Sequence, residues 1–255
     1  MAIKDLMNHL EAVVYACALV LFMFSGVMPP MQPCEDSKNA TAILSNLAHA
    51  KVFEEAKRKL TTAAADGNEH SIVFGKDAVG DSIISPLSPA GLKNVSAVDL
   101  NFPGAYADIH NHPSNTVPST GDIYNLILTN GKNLEFTSRI TLLANGTVYA
   151  VSVYNRELAS SFTRNYPAED AKGFSPRFPE KLFNEFAELK SYLISIQRIE
   201  KTTADEMATA YILDKYQSGV SLFRLLDDNR FARVYITQTE SPGGSAAYHL
   251  NVCKD

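Results

Sequence analysis

Positive charge is scarce and scattered in this chain. No run of Lys or Arg occurs, and the net charge of −5 over 255 residues leaves no electrostatic footprint for nucleic acid and no polybasic membrane patch. Cysteine is scarce too. The three present, Cys17, Cys34 and Cys253, are too few for a disulfide scaffold and include no Cys-x-x-Cys spacing for zinc. Cys34 and Cys253 either pair in an oxidising compartment or stand as two unrelated thiols. No internal repeat is visible, which argues against a solenoid. Long apolar runs are missing except at Ala12–Met28, "AVVYACALVLFMFSGVM", where 17 residues pass without a charge, near the lower limit for spanning a bilayer as a helix. Lys4 is the sole basic residue before it, and no small-x-small cleavage site stands out after it. Residues 1–40 are therefore expected to be a signal peptide or membrane anchor with a Pro-rich linker (Pro29–Ala40), making the protein exported or membrane-anchored. A buried core helix is the alternative reading.

What remains has the composition of a globular protein, with 45% hydrophobic and 20% charged residues. Apolar spacing predicts an amphipathic helix over Thr41–Thr61, ended by the turn residues Asp66–Asn68. Strands are expected at Glu69–Gly75, within "VSAVDL" and at Ala105–His112. A short helix is expected from about Asp122 to Asn130–Gly131, and a hairpin turning at Asn145–Gly146. After Asn155 come a helix around Leu182–Ile196 and a second at Thr203–Gln217, the latter with Thr203 and Glu206 as a capping box and Gly219 as C-cap. A hairpin turning at Asp227–Asn229 and a strand in "AAYHLNV" close the chain. The reading is a mixed α/β fold: a metal-binding domain over 41–155, and an α+β extension over 156–255, packed on that core and without a cluster of ligands.

The chemistry gathers in "ADIHNHPSNTVPSTGDI", Ala107–Ile123. His110 and His112 lie two apart, so an extended strand points both imidazoles to one face. Asp122, at the start of the following helix, is placed to return as a third ligand. Two neutral nitrogens and a carboxylate with one open position is the donor set of catalytic zinc, Zn²⁺. Hydrolysis also requires a base, and Glu69, at the head of an upstream strand, is the candidate. Ser119 is placed to donate to an oxyanion. Asp108 shares the face of His110 and is either a supporting residue of the site or half of a salt bridge.

These residues resemble the JAMM (MPN-plus, JAB-domain) zinc metalloproteases, whose pattern is a distant upstream Glu, then His-x-His-Pro, then Ser-x-x-Asp. It stands here as Glu69, "HNHP" at His110–Pro113 and "STGD" at Ser119–Asp122. The resemblance covers roughly Thr41–Asn155 and is closest to bacterial JAB-like domains of uncertain substrate. It implies a sheet flanked by helices, akin to cytidine deaminases. It also implies zinc on His110, His112 and Asp122, Glu69 as general acid/base, Ser119 stabilising the tetrahedral intermediate, and a peptide or protein as substrate. The loop Pro113–Pro118 is one residue shorter than the family's usual spacing, which brings Thr120 to the usual serine position as an alternative donor. The competing readings are a JAB-like binding or scaffold module without catalysis and, last, a zinc deaminase. The deaminases' His-x-Glu with Pro-Cys-x-x-Cys is missing.

Overall fold

Three strands buried at every position form the centre of the fold: Ala107–His112, Ser138–Leu143 and Val148–Val153. Strands covered on both faces read as nearly unbroken apolar runs, and here those runs are interrupted by polar residues that build the site. The computed structural model describes residues 33–88, 101–169, 176–240 and 246–254. In chain order its elements are α1 (Pro33–Asp36), α2 (Lys38–Ala48), α3 (Lys51–Ala63), β1 (Ser71–Lys76), β2 (Ser82–Ile84), β3 (Ala107–His112) and α4 (Thr120–Lys132). There follow β4 (Ser138–Leu143), β5 (Val148–Val153), α5 (Arg156–Asn165), α6 (Glu180–Ser195), α7 (Lys201–Lys215), β6 (Val220–Leu225), β7 (Phe231–Glu240) and β8 (Ala246–Val252). The segment Ala12–Met28 and the strand expected in "VSAVDL" lie outside the described residues. Among the described residues no helix is long and apolar enough to cross a membrane.

The strands make one eight-stranded mixed sheet in the order β2-β1-β3-β4-β5-β6-β7-β8, so the fold is mixed α/β. β3 and β4 pair in parallel, and the other neighbours pair antiparallel. A parallel pair needs a crossover, and α4 supplies it. Helices cover both faces. On one, Ile123 and Leu126 of α4, Phe162 of α5, Leu182 of α6 and Ile212 of α7 pack against Val73, Tyr149, Val151 and Leu222. On the other, Leu44 and Leu47 of α2 and Phe53 and Leu60 of α3 pack against Ile72, Phe74, Ile109, Ile140 and Phe223. β6, β7 and β8 continue the sheet begun by the first five strands without interruption.

Several local expectations are corrected. The helix predicted over Thr41–Thr61 is two helices broken at His49–Ala50, with Ala50 extended (φ −78°, ψ 142°). The break lets α2 reach β7, where Ser45 Oγ accepts from the Phe231 amide (3.1 Å), while α3 turns toward β1 and β3. Residues 33–36 and 38–40, read as linker, are helical, and a disulfide from Cys34 ties them to Cys253 across a sequence separation of 219 (Cα–Cα 5.4 Å). α4 runs through Asn130–Gly131 to Lys132, since the Asn130 side chain donates to the Phe136 carbonyl (2.9 Å) instead of capping the helix. α7 begins two residues early on a Glu200 cap that accepts from the Thr202 and Thr203 amides, and Glu206 turns inward to the sheet. Gly219 lies beyond the helix end, with its carbonyl accepting from the Tyr154 and Asn155 amides; a Cβ there would meet the Asn155 carbonyl at 2.2 Å. α5 and β2 were not foreseen; α5 begins on Asn155, whose side chain accepts from the Leu158 amide.

Candidate metal centre

Strand parity places the two histidines. β3 alternates Ile109 toward the α2–α3 side with Asp108, His110 and His112 toward the α4 side. The chain then loops through 113–118 into α4, whose N-cap is Ser119. Ser119 Oγ accepts from the Asp122 amide (3.2 Å), and the Ser119 amide and hydroxyl both donate to Asp122 Oδ2 (2.7 Å each). This reciprocal cap satisfies free amides of the first turn and fixes the carboxylate's direction.

The three side chains meet. His110 Nε2 lies 3.2 Å from His112 Nε2 and 3.3 Å from Asp122 Oδ1, and His112 Nε2 lies 3.6 Å from Asp122 Oδ2. Each offers an atom to a common point, so His110, His112 and Asp122 could hold a metal ion. The group is buried, with exposures of 1%, 6% and 7%. His112 Nδ1 sits 2.8 Å from the Thr116 carbonyl, an acceptor only, so Nδ1 carries the hydrogen and Nε2 keeps its lone pair when the ring is neutral. Thr141 Oγ1 is 3.4 Å from His110 Nε2.

The electrostatics follow from burial and crowding. Burial favours a neutral Asp122, but His110, His112 and Arg139 outweigh it and hold its pKa well below the ordinary carboxylate value. Burial likewise disfavours the His112 imidazolium, yet the adjoining Asp122 carboxylate prevails and the pKa is raised. Beneath the triad, Arg139 Nη2 and Nε contact Asp108 Oδ2 at 3.0 and 3.2 Å, and Arg139 Nε is 3.8 Å from Asp122 Oδ1. Asp108 is thus the salt-bridge half of its two readings. Burial raises its pKa, with Arg139 opposing.

Glu69 is half-buried just before β1. β1 pairs with β3 so that Ser71 faces His110, and beyond the strand the His70 carbonyl still accepts from the Asn111 amide (3.2 Å), which keeps the chain at Glu69 beside the end of β3. Glu69 lies near enough to act on the charges of both His112 and Arg139. Asn111 holds it there: its Oδ1 accepts from the His70 amide (2.8 Å) and its Nδ2 donates to the Asn68 carbonyl (2.9 Å). Thr120 points elsewhere, donating to the Pro176 carbonyl (3.3 Å).

The sequence reading did not identify Asn111, Thr116, Arg139 or Thr141. Arg139 alone left a signal, as a charge in the otherwise apolar alternation "RITLL". His70, given no role, is buried and bonded to Asp66 and the Ser88 carbonyl, while His49 and His249 are exposed. The chain matches no protein-family model and no curated protein.

Proposed function

We propose that this protein is a zinc-dependent hydrolase of peptide or isopeptide bonds. The observation that carries the reading is one constellation: His110, His112 and Asp122 converging on a point, with Glu69 near enough for its charge to act on His112. The donor atoms lie 3.2–3.6 Å apart, close enough to share one ion, and the nitrogen-rich donor set favours zinc over magnesium or calcium.

Zinc bound there would lower the pKa of a water toward about 7 and polarise a carbonyl. The chain's own residues do the rest. Thr116 fixes the His112 tautomer and Ser119 orients Asp122. Glu69 accepts the proton from the attacking water and returns it to the leaving nitrogen. Ser119 keeps its proposed part as oxyanion donor only by turning its hydroxyl from Asp122. Thr120, the alternative donor, would have to leave Pro176. The Cys34–Cys253 disulfide supports an exported or membrane-anchored location, because such bonds persist in oxidising compartments.

One observation favours the scaffold reading. A donor set this buried, with its serine engaged as a cap, also suits a metal that only holds the fold. Metal analysis of the purified protein, beside cleavage of an unbiased peptide library read by mass spectrometry, separates the two. The hydrolase reading expects one zinc per chain, lost in His112→Ala, and cleavage lost in Glu69→Gln with zinc retained. Unchanged cleavage in Glu69→Gln removes the base assignment. Zinc without any cleavage by the native protein selects the scaffold.

A further inference from the structure

Beside the metal centre, on the same face of the sheet, lies an open cleft of about 1030 Å³ that the hydrolase reading leaves unused. Its position follows from strand register. His110 faces Thr141, Thr141 faces Tyr149, and Tyr149 faces Arg224, so the four side chains form one row across β3, β4, β5 and β6. Adjacent strands stand about 4.8 Å apart, which puts Tyr149 about 10 Å along that row from the metal ligands. Tyr149 and Arg224 line the cleft. So does Asn115, one residue before the carbonyl that fixes His112; its own carbonyl accepts from Thr202 Oγ1 (3.2 Å).

At this end of the row α7 presents Glu206. The side chain is 1% exposed; its Oε2 accepts from the Tyr149 hydroxyl (3.3 Å) and from Arg224 Nη1 (3.2 Å). Its Oε1 has no hydrogen-bond partner among the described residues. A buried carboxylate oxygen without a donor is costly to leave unsatisfied. Among the described residues Glu200, Asp227 and Asp228 also border the cleft and Arg224 is the one cation lining it, with Arg230 beside Asp228 at 3.5 Å. Burial raises the Glu206 pKa, with Arg224 and Tyr149 opposing, which is the condition of a carboxylate short of one donor.

We propose that this cleft seats a cationic side chain, lysine or arginine, of a peptide, with its charge on Glu206 Oε1. The predominantly acidic border disfavours an anion, and the unmade bond at Oε1 needs a donor. Binding of the cation stands on the cleft alone; that it is a substrate subsite rests on the hydrolase reading. An extended peptide advances about 3.3 Å per residue, so the basic residue would lie about three residues from the bond at the metal centre.

The test is fluorescence anisotropy of full-length protein with labelled Gly/Ala peptides carrying one lysine or, in its place, norleucine, in the presence of EDTA. The lysine peptide is expected to bind at least tenfold more tightly, with the preference falling below threefold in Glu206→Gln and persisting in His112→Ala. Should circular dichroism show Glu206→Gln unfolded, the exposed-loop pair Asp227→Asn/Asp228→Asn takes its place, with at least a twofold loss of preference at low salt. Equal binding of the two peptides by the native protein overturns the proposal, as does a preference intact in the folded variant. Lysine-selective binding without cleavage of any peptide counts against the hydrolase reading and leaves the cation site standing.

Discussion

The Asp108–Arg139 pair gives the sharpest test of how the centre is supported. Both residues are 1% exposed, in register on parallel strands, and joined by contacts of 3.0 and 3.2 Å. Arg139→Met removes the cation and leaves a carboxylate in a place that already raises its pKa. Breaking a buried pair this way costs about 3–5 kcal/mol. Protonation of Asp108 sets a ceiling on that penalty. From an unfolded pKa of about 3.9, neutralising the group costs about 4 kcal/mol at pH 7 and about 1.5 kcal/mol at pH 5, at 1.36 kcal/mol per unit. A raised folded pKa means the deficit grows with pH, so the variant should lose about 3–4 kcal/mol at pH 7 and less than half that at pH 5. Asp108→Leu/Arg139→Met, with neither charge, should recover most of the loss. Urea unfolding of EDTA-treated protein followed by circular dichroism measures all three. A deficit independent of pH, or a double variant no better than the single one, would refute the reasoning.

Asn111→Ala leaves the buried His70 amide without its acceptor and should cost about 1–3 kcal/mol. If Glu69 acts as a base, the same variant lowers kcat with KM little changed, since it frees the Glu69 backbone and touches no donor of the triad. Reducing the disulfide or making Cys253→Ser opens a loop of sequence separation 219, for which the chain-entropy model gives about 5 kcal/mol; calorimetry with and without reductant should show a large drop in Tm. In metal-free protein the raised His112 pKa contributes stability that is complete below about pH 6.5 and lost as pH rises through the folded value. The depressed Asp122 pKa contributes stability complete above about pH 4 and lost as pH falls through its lower folded value. Metal binding needs a deprotonated His112, so zinc affinity in a chelator competition should fall about tenfold per pH unit below the folded His112 pKa. A flat profile between pH 5 and 8 would contradict it.

Local chemistry explains which parts of this arrangement could be read in advance. His110 and His112 share a face because β parity is a period of two, and Asp122 returns because Ser119 marks a helix start; both facts sit within 13 residues of chain. The hairpin at Asn145–Gly146 was equally local, with Gly146 at φ 86° where the turn needs a left-handed residue. Arg139 and Thr141 reach the site through a register between strands 31 residues apart, set by the crossover helix and invisible to spacing. Glu206 illustrates the opposite error. Its distance from Thr203 imitates a capping box, and only the packing of α7 on β5 and β6 shows that its carboxylate faces the sheet. The break at Ala50 is of the same kind, since the apolar spacing continues through it while the surfaces to be covered lie in two places.

The placing of polarity in the core carries an argument of its own. Asp108, His110, Asn111 and His112 of β3, Arg139 and Thr141 of β4 and Asp122 of α4 are all buried, close together in the core. Well-packed hydrophobic residues of similar volume would commonly give an equal or more stable sheet, so stability alone does not account for this group. The bonds within it are also directional. Asn111 holds the backbone on either side of Glu69, Thr116 selects one nitrogen of His112, and Ser119 aims one oxygen of Asp122. The Thr116 and Ser119 bonds leave a lone pair of His112 and an oxygen of Asp122 for the His110–His112–Asp122 point, and the Asn111 bonds fix the backbone on which Glu69 stands beside it. Departures from a stable core that share one target favour a ligand at that target, and the donors there suit a divalent cation.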